Sequence, residues 1–129
     1  METVGIGVIG CDEMGSRLAI HAHDIEGLEV ISVCDIEDEL AKDLASDIDV
    51  DYTTDFQELM SDERIHKVII PTSLTTRQIW EEAEKTDKCI SFGIDKDMPE
   101  YEIQHMLIEH ILPTEAWDKA FQKAVKLLK

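Results

Sequence analysis

Residues 4–16 read VGIGVIGCDEMGS, and an aspartate, Asp35, follows Gly15 by 20 residues. An apolar run ends in Gly10, and Gly15 opens a polar, helix-compatible stretch. Gly10 permits a tight turn, and Gly15 permits close packing of a helix on the preceding strand. Amides at a helix N-terminus favour an anion, and a carboxylate at the Asp35 spacing can accept hydrogen bonds from ribose hydroxyls. The chemistry so assembled is recognition of a dinucleotide, NAD or NADP. The candidate binding residues are Gly10, Cys11, Asp12, Met14, Gly15 and Asp35, with Thr72, which follows the fourth apolar run.

Asp12 stands where a middle glycine would let backbone approach a pyrophosphate. Two like charges about 4 Å apart repel by about 1 kcal/mol in water, or about 4 kcal/mol at an effective dielectric of about 20. That is a loss of about 5-fold to 1000-fold in affinity. Asp12 could instead cap the helix and fill the anion position itself, leaving no cofactor bound. Asp35 has an alternative role too, as N-cap of the next helix. Gly10 and Gly15 could serve turn and packing needs alone.

Other reactive side chains form weaker patterns. Cys11, Cys34 and Cys89 are odd in number and widely spaced, which suits a reducing, cytoplasmic setting rather than a disulfide framework. Cys11 and Cys34 fall at the ends of neighbouring strands, where packing competes with redox chemistry as their role. His21 and His23 point to different faces of a helix, and His105 and His110 are five apart, so no metal site is expected. No Ser-His-Asp or Cys-His arrangement emerges.

The elements that must position these residues alternate. Strands are expected at Val4 to Ile9, Leu28 to Cys34, Val50 to Thr53, His66 to Ile70 and Lys88 to Ile94. Helices are expected at Glu13 to Asp24, Glu37 to Asp47, Phe56 to Met60 behind Asp55, and Thr75 to Lys85. Two more follow, Glu100 to Leu112 and Glu115 to Leu128, with Pro113 between them and Thr114 as N-cap. Alternation of this kind predicts an α/β fold: a Rossmann-type three-layer sandwich with a mostly parallel five-stranded sheet, order 3-2-1-4-5. The 129 residues suit one domain, a βα core over 1–98 and C-terminal helices over 99–129. In that strand order ligands bind beyond the carboxyl ends of strands 1 and 4, where Gly10 to Gly15 lies.

Composition narrows the partners. A net charge of −17 disfavours nucleic acid and anionic membrane surfaces. No apolar run approaches a membrane span, and no signal peptide is read at the start.

The stretches VGIGVIGCDEMGSRLA, EGLEVISVCDIEDELAKDLA and DYTTDFQELMSDERIHKVII, with the helix after them, resemble the amino-terminal domain of the Gfo/Idh/MocA family of sugar and polyol oxidoreductases. The resemblance covers roughly residues 3–90. It implies a nicotinamide cofactor and hydride transfer to a carbohydrate-like substrate. Asp35 would favour NAD, because a carboxylate repels a 2′-phosphate. The family's Thr-Pro and Thr-His pairs after strand 4 are replaced by Pro71-Thr72-Ser73-Leu74-Thr75-Thr76-Arg77. Its Glu-Lys-Pro motif after strand 5 has Asp95-Lys96-Asp97 as nearest match. Lys96 is then the one catalytic candidate, facing a nicotinamide ribose or substrate hydroxyl; as a residue on its own it reads as a surface lysine. Family members are much longer, and their second domain supplies the substrate pocket. The chain alone is therefore expected to be incomplete as a catalyst. The alternative is a regulatory or scaffolding protein, of unnamed protein partner, that kept the fold and lost the cofactor.

Apolar residues from Ile103 to Leu128 can serve as ordinary core covering the sheet; a leftover apolar face would instead make a homodimer through the C-terminal helices, anchored by Trp117 and Phe121. The charge of −17 opposes association. Such a dimer should tighten as salt rises, which sedimentation at low and high salt reads; a monomer at both refutes it.

Overall fold

The computed structural model describes residues 3–128. Strands β1 (Val4–Ile9), β2 (Leu28–Cys34), β3 (Asp51–Thr53), β4 (Lys67–Pro71) and β5 (Cys89–Phe92) form one sheet in the order β3-β2-β1-β4-β5. Every neighbouring pair is parallel. The helices are α1 (Glu13–His23), α2 (Asp38–Ile48), α3 (Phe56–Ser61), α4 (Arg77–Ala83), α5 (Glu100–Ile111) and α6 (Trp117–Ala124). The expected α/β class and strand order are the ones that form.

β1 is central, and every residue in it beyond Val4 is buried, as a parallel strand covered on both faces must be. On one face Ile6, Val8 and Val33 meet Leu18, Ala22, Leu44, Ile103 and Leu107, so α1, α2, α5 and α6 share a core. On the other, Ile9, Val68 and Ile70 meet Leu59, Ile65 and Ile79 under the short α3 and α4. Gly7 faces that second layer, where an added Cβ would crowd Leu59 and Ile65.

Several boundaries differ from expectation. β4 runs to Pro71, which pairs with Phe92 at the strand's last position, where a missing N–H breaks no ladder further on. α4 begins at Arg77, leaving Thr72–Thr76 as a turn and an irregular run. Beyond Pro113 the chain makes a 3-10 turn over Thr114–Ala116 before α6, and a second one over Val125–Leu128 after it. Thr114 is not an N-cap: the turn closes from the Ala116 N–H to the Pro113 carbonyl, which puts Thr114 inside it, without a capping bond.

Trp117 and Phe121 pack within the chain. The Trp117 indole N–H donates to the Leu112 carbonyl at 3.0 Å, and the Phe121 ring centre lies 4.9 Å from that of His105. The apolar side chains left outermost at this end are Val125, Leu127 and Leu128.

Candidate dinucleotide site at the β1–β4 switch point

β1 delivers the chain to Gly10, whose φ of 103° lies in the left-handed region that glycine alone enters without strain. Its N–H donates to the Cys34 carbonyl at 2.7 Å, tying the turn to the end of β2. The chain then enters α1. At Gly15 an added Cβ would land on the Gly10 carbonyl oxygen, so this glycine has the close-packing role expected of it.

Asp12 is the N-cap of α1. One carboxylate oxygen accepts the Gly15 N–H at 2.9 Å. The other accepts the Ser73 hydroxyl at 2.8 Å, from the loop that leaves β4. The neighbouring Thr72 hydroxyl points to the Met14 sulfur at 3.7 Å. Two side-chain contacts therefore cross from the β1–α1 turn to the β4–α4 loop, over the crevice at the switch point.

Asp35 closes the other flank. It accepts the Cys11 N–H at 2.8 Å and the Glu37 N–H at 2.9 Å. The N-cap alternative for Asp35 does not hold, because α2 starts after Glu37. Each oxygen of Asp35 takes one amide, and a carboxylate has about four acceptor sites, so capacity for ribose hydroxyls remains.

Cys11 and Cys34 are buried, and the Cys11 thiol donates to the Cys34 carbonyl at 3.4 Å. Burial first, and then the Asp35 charge, pushes both thiols up from 9.0 to about 12. Of the two roles open to them, the geometry favours packing. Thiolate is the reactive form, so alkylation of these two cysteines at pH 8 should be about 1000-fold slower in the native than in the unfolded chain. Peptide mapping after iodoacetamide measures this, and equal labelling would refute it. The sign for stability is the same: the contribution of these thiols is whole below pH 9, where unfolded thiols begin to ionise, and is lost as pH rises toward 12.

Two cavities flank the turn. One of about 260 Å³ is lined by Asp12, Met14, Arg17, Ser73, Ile94 and Lys96, among others. The other, beside Gly10, Asp35, Ile36, Phe56, Leu74 and Thr76, holds only about 20 Å³. Lys96 thus lines the larger cavity, together with a second cation, Arg17. The Arg17 guanidinium donates to the carbonyls of Asp95, Lys96 and Met98 at 3.1, 3.2 and 2.8 Å. It pins the loop that carries Lys96. Nothing in the local sequence marks it, since its partners lie about 80 residues on. Arg17→Ala should cost about 1–3 kcal/mol, as several charge-assisted bonds are lost from a partly exposed site. A urea midpoint equal to that of the parent would sink that assignment.

Gly10, Cys11, Asp12, Met14, Gly15, Asp35, Thr72 and Lys96 are all brought to this one end of the sheet; Ser73 and Arg17 join them. Among the described residues no group of three or more His, Cys, Asp or Glu side chains is placed to hold a metal ion. No helix among them is long and apolar enough to cross a membrane.

A parallel 3-2-1-4-5 sheet with a glycine turn at its switch point and a carboxylate at the end of β2 defines a Rossmann-type dinucleotide-binding domain. Residues 4–95 match the family model described as the oxidoreductase family, NAD-binding Rossmann fold. The chain belongs to the Gfo/Idh/MocA oxidoreductase family. Solved structures agree in fold. Myo-inositol dehydrogenase from Lactobacillus casei, in complex with NAD(H) and myo-inositol, superposes with a TM-score of 0.59 at 23% identity, over 83% of this chain and 32% of that one. Scyllo-inositol dehydrogenase from the same organism, with NAD(H) and scyllo-inositol, gives 0.60 at 21%, over 84% and 34%. GenD2 from gentamicin A biosynthesis, in complex with NAD, gives 0.63 at 17%, over 97% and 33%. The chain spans about a third of the length of these relatives. No curated protein matches the sequence significantly.

Proposed function

We propose that this chain binds a nicotinamide dinucleotide, NAD in preference to NADP, at the carboxyl ends of β1 and β4. The observation that carries the reading is the bond from the Cys11 N–H to Asp35, which sets the ribose-binding carboxylate directly against the glycine turn. Gly10 and Gly15 have the conformation and the clearance such a turn requires. The Asp35 charge stands against a 2′-phosphate. When bound, the nicotinamide supplies hydride transfer. Lys96 borders the larger cavity and is the residue proposed to face the nicotinamide ribose or a substrate hydroxyl. Hydride exchange with a carbohydrate-like substrate is proposed for this domain joined to a substrate-binding domain, since the matched relatives are about three times as long.

The Asp12 carboxylate is the feature that fits a diphosphate badly. It also motivates the second reading, a scaffold that has lost its cofactor, to which the comparisons lend no support. Calorimetric titration with NAD, NADH, NADP and NADPH tests the proposal. Binding of NAD tighter than NADP is expected. Silence from all four at millimolar concentration, in the parent and in Asp12→Gly, would overturn it and leave the scaffold reading.

A further inference from the structure

The segment Thr72–Thr76 lies across the nucleotide crevice, and its ties are specific. We propose that it is a strap, fastened to α1 by Asp12, that holds the crevice shut and must release before a nucleotide can seat. The proposal rests on the dinucleotide reading above and concerns the regulation of that same site.

Three observations converge. First, Asp12 is doubly engaged, on the Gly15 N–H at 2.9 Å and on the Ser73 hydroxyl at 2.8 Å. Its carboxylate takes the helix N-terminal position that an incoming diphosphate would use. Second, the middle of the strap is held inward. The Trp80 indole N–H donates to the Leu74 carbonyl at 2.9 Å, and the Leu74 side chain lies over Gly10. Third, the space beside Asp35 is closed to about 20 Å³, with Leu74 and Thr76 in its wall. That is room for about one water, whereas the opposite side keeps about 260 Å³. Asp35 itself is half-buried, and on the side of the smaller cavity an incoming adenosine meets Leu74 and Thr76.

A site that opens only part of the time binds with an apparent affinity reduced by the open fraction. Asp12 adds charge repulsion to that reduction, and the two effects separate by substitution. Ser73→Ala unfastens the strap and changes no charge. Asp12→Gly unfastens it and also removes the charge. Adenosine has no diphosphate, so it reports the strap alone, whereas NAD reports both.

The test is calorimetric titration of NAD and of adenosine into the parent chain, Ser73→Ala and Asp12→Gly, with hydrogen exchange of each protein without ligand. Ser73→Ala should bind both ligands about 3- to 10-fold tighter, the worth of one net hydrogen bond. Asp12→Gly should add about 5-fold to 1000-fold more for NAD and nothing more for adenosine. The amide of Leu74, which closes the turn onto the Pro71 carbonyl, should exchange faster in Ser73→Ala. Measurable adenosine binding of equal affinity in the parent and Ser73→Ala, or unchanged exchange in the strap, overturns the proposal. Faster exchange with silence from both ligands in all three proteins overturns the dinucleotide reading instead, because the strap is then shown to open on a site that takes no nucleotide.

Discussion

Gly15→Ala should lower the stability of the protein by about 3 kcal/mol, the upper range of overpacking, and remove nucleotide binding with it. The added methyl would land on the Gly10 carbonyl oxygen. That oxygen belongs to backbone and cannot rotate aside. Relief requires α1 to lift from β1, and α1 carries Leu18, Ala19 and Ala22, all fully buried in the larger core. Lifting the helix also draws the Gly15 N–H from Asp12. Urea unfolding gives the stability, and NAD titration below the transition gives the binding. A midpoint equal to that of the parent would mean that α1 tolerates displacement, and the close approach would lose its structural role.

Asp35→Ala should have the next largest effect, about 2–3 kcal/mol of stability together with most of the NAD affinity. The carboxylate accepts two backbone amides, and one of them, that of Cys11, is partly buried. Asp35→Asn offers one oxygen, so it should recover part of the stability and little of the affinity. A variant that keeps NAD affinity after Asp35→Ala would show that the ribose is held elsewhere.

Much of this was readable in the residues. β1 and β2 fall at the expected positions, since Val4–Ile9 is a continuous apolar run that a doubly covered strand accommodates and Leu28–Cys34 is rich in β-branched residues, broken only by Glu29 and Ser32. Strand order followed from the handedness of the crossovers. The glycine turn, Asp35 and the self-capping of Asp12 were legible because each is a local event, within a few residues or at a fixed spacing. What escaped is long-range. Ser73 meets Asp12 across 61 residues, and Arg17 meets Met98 across 81. A hydroxyl in a run of serine and threonine carries no periodicity that would announce such a partner. The late start of α4 belongs here too: Thr75 and Thr76 have modest helix propensity, and Leu74 is held by Trp80 before the helix begins.

The two faces of the sheet are clothed unequally. One carries α1, α2 and α5, of 11, 11 and 12 residues; the other has only α3 and α4, of six and seven. Helices that short contribute little order of their own and persist through a small set of contacts. Native proteins open in cooperative patches, the thinnest first, well below the free energy of full unfolding. The thin face is therefore expected to open first, and the Ser73 end of the crevice is attached to it. Any gating of the nucleotide would draw on the fluctuations of one weak flank while the thick flank keeps Asp35 and the glycine turn in register.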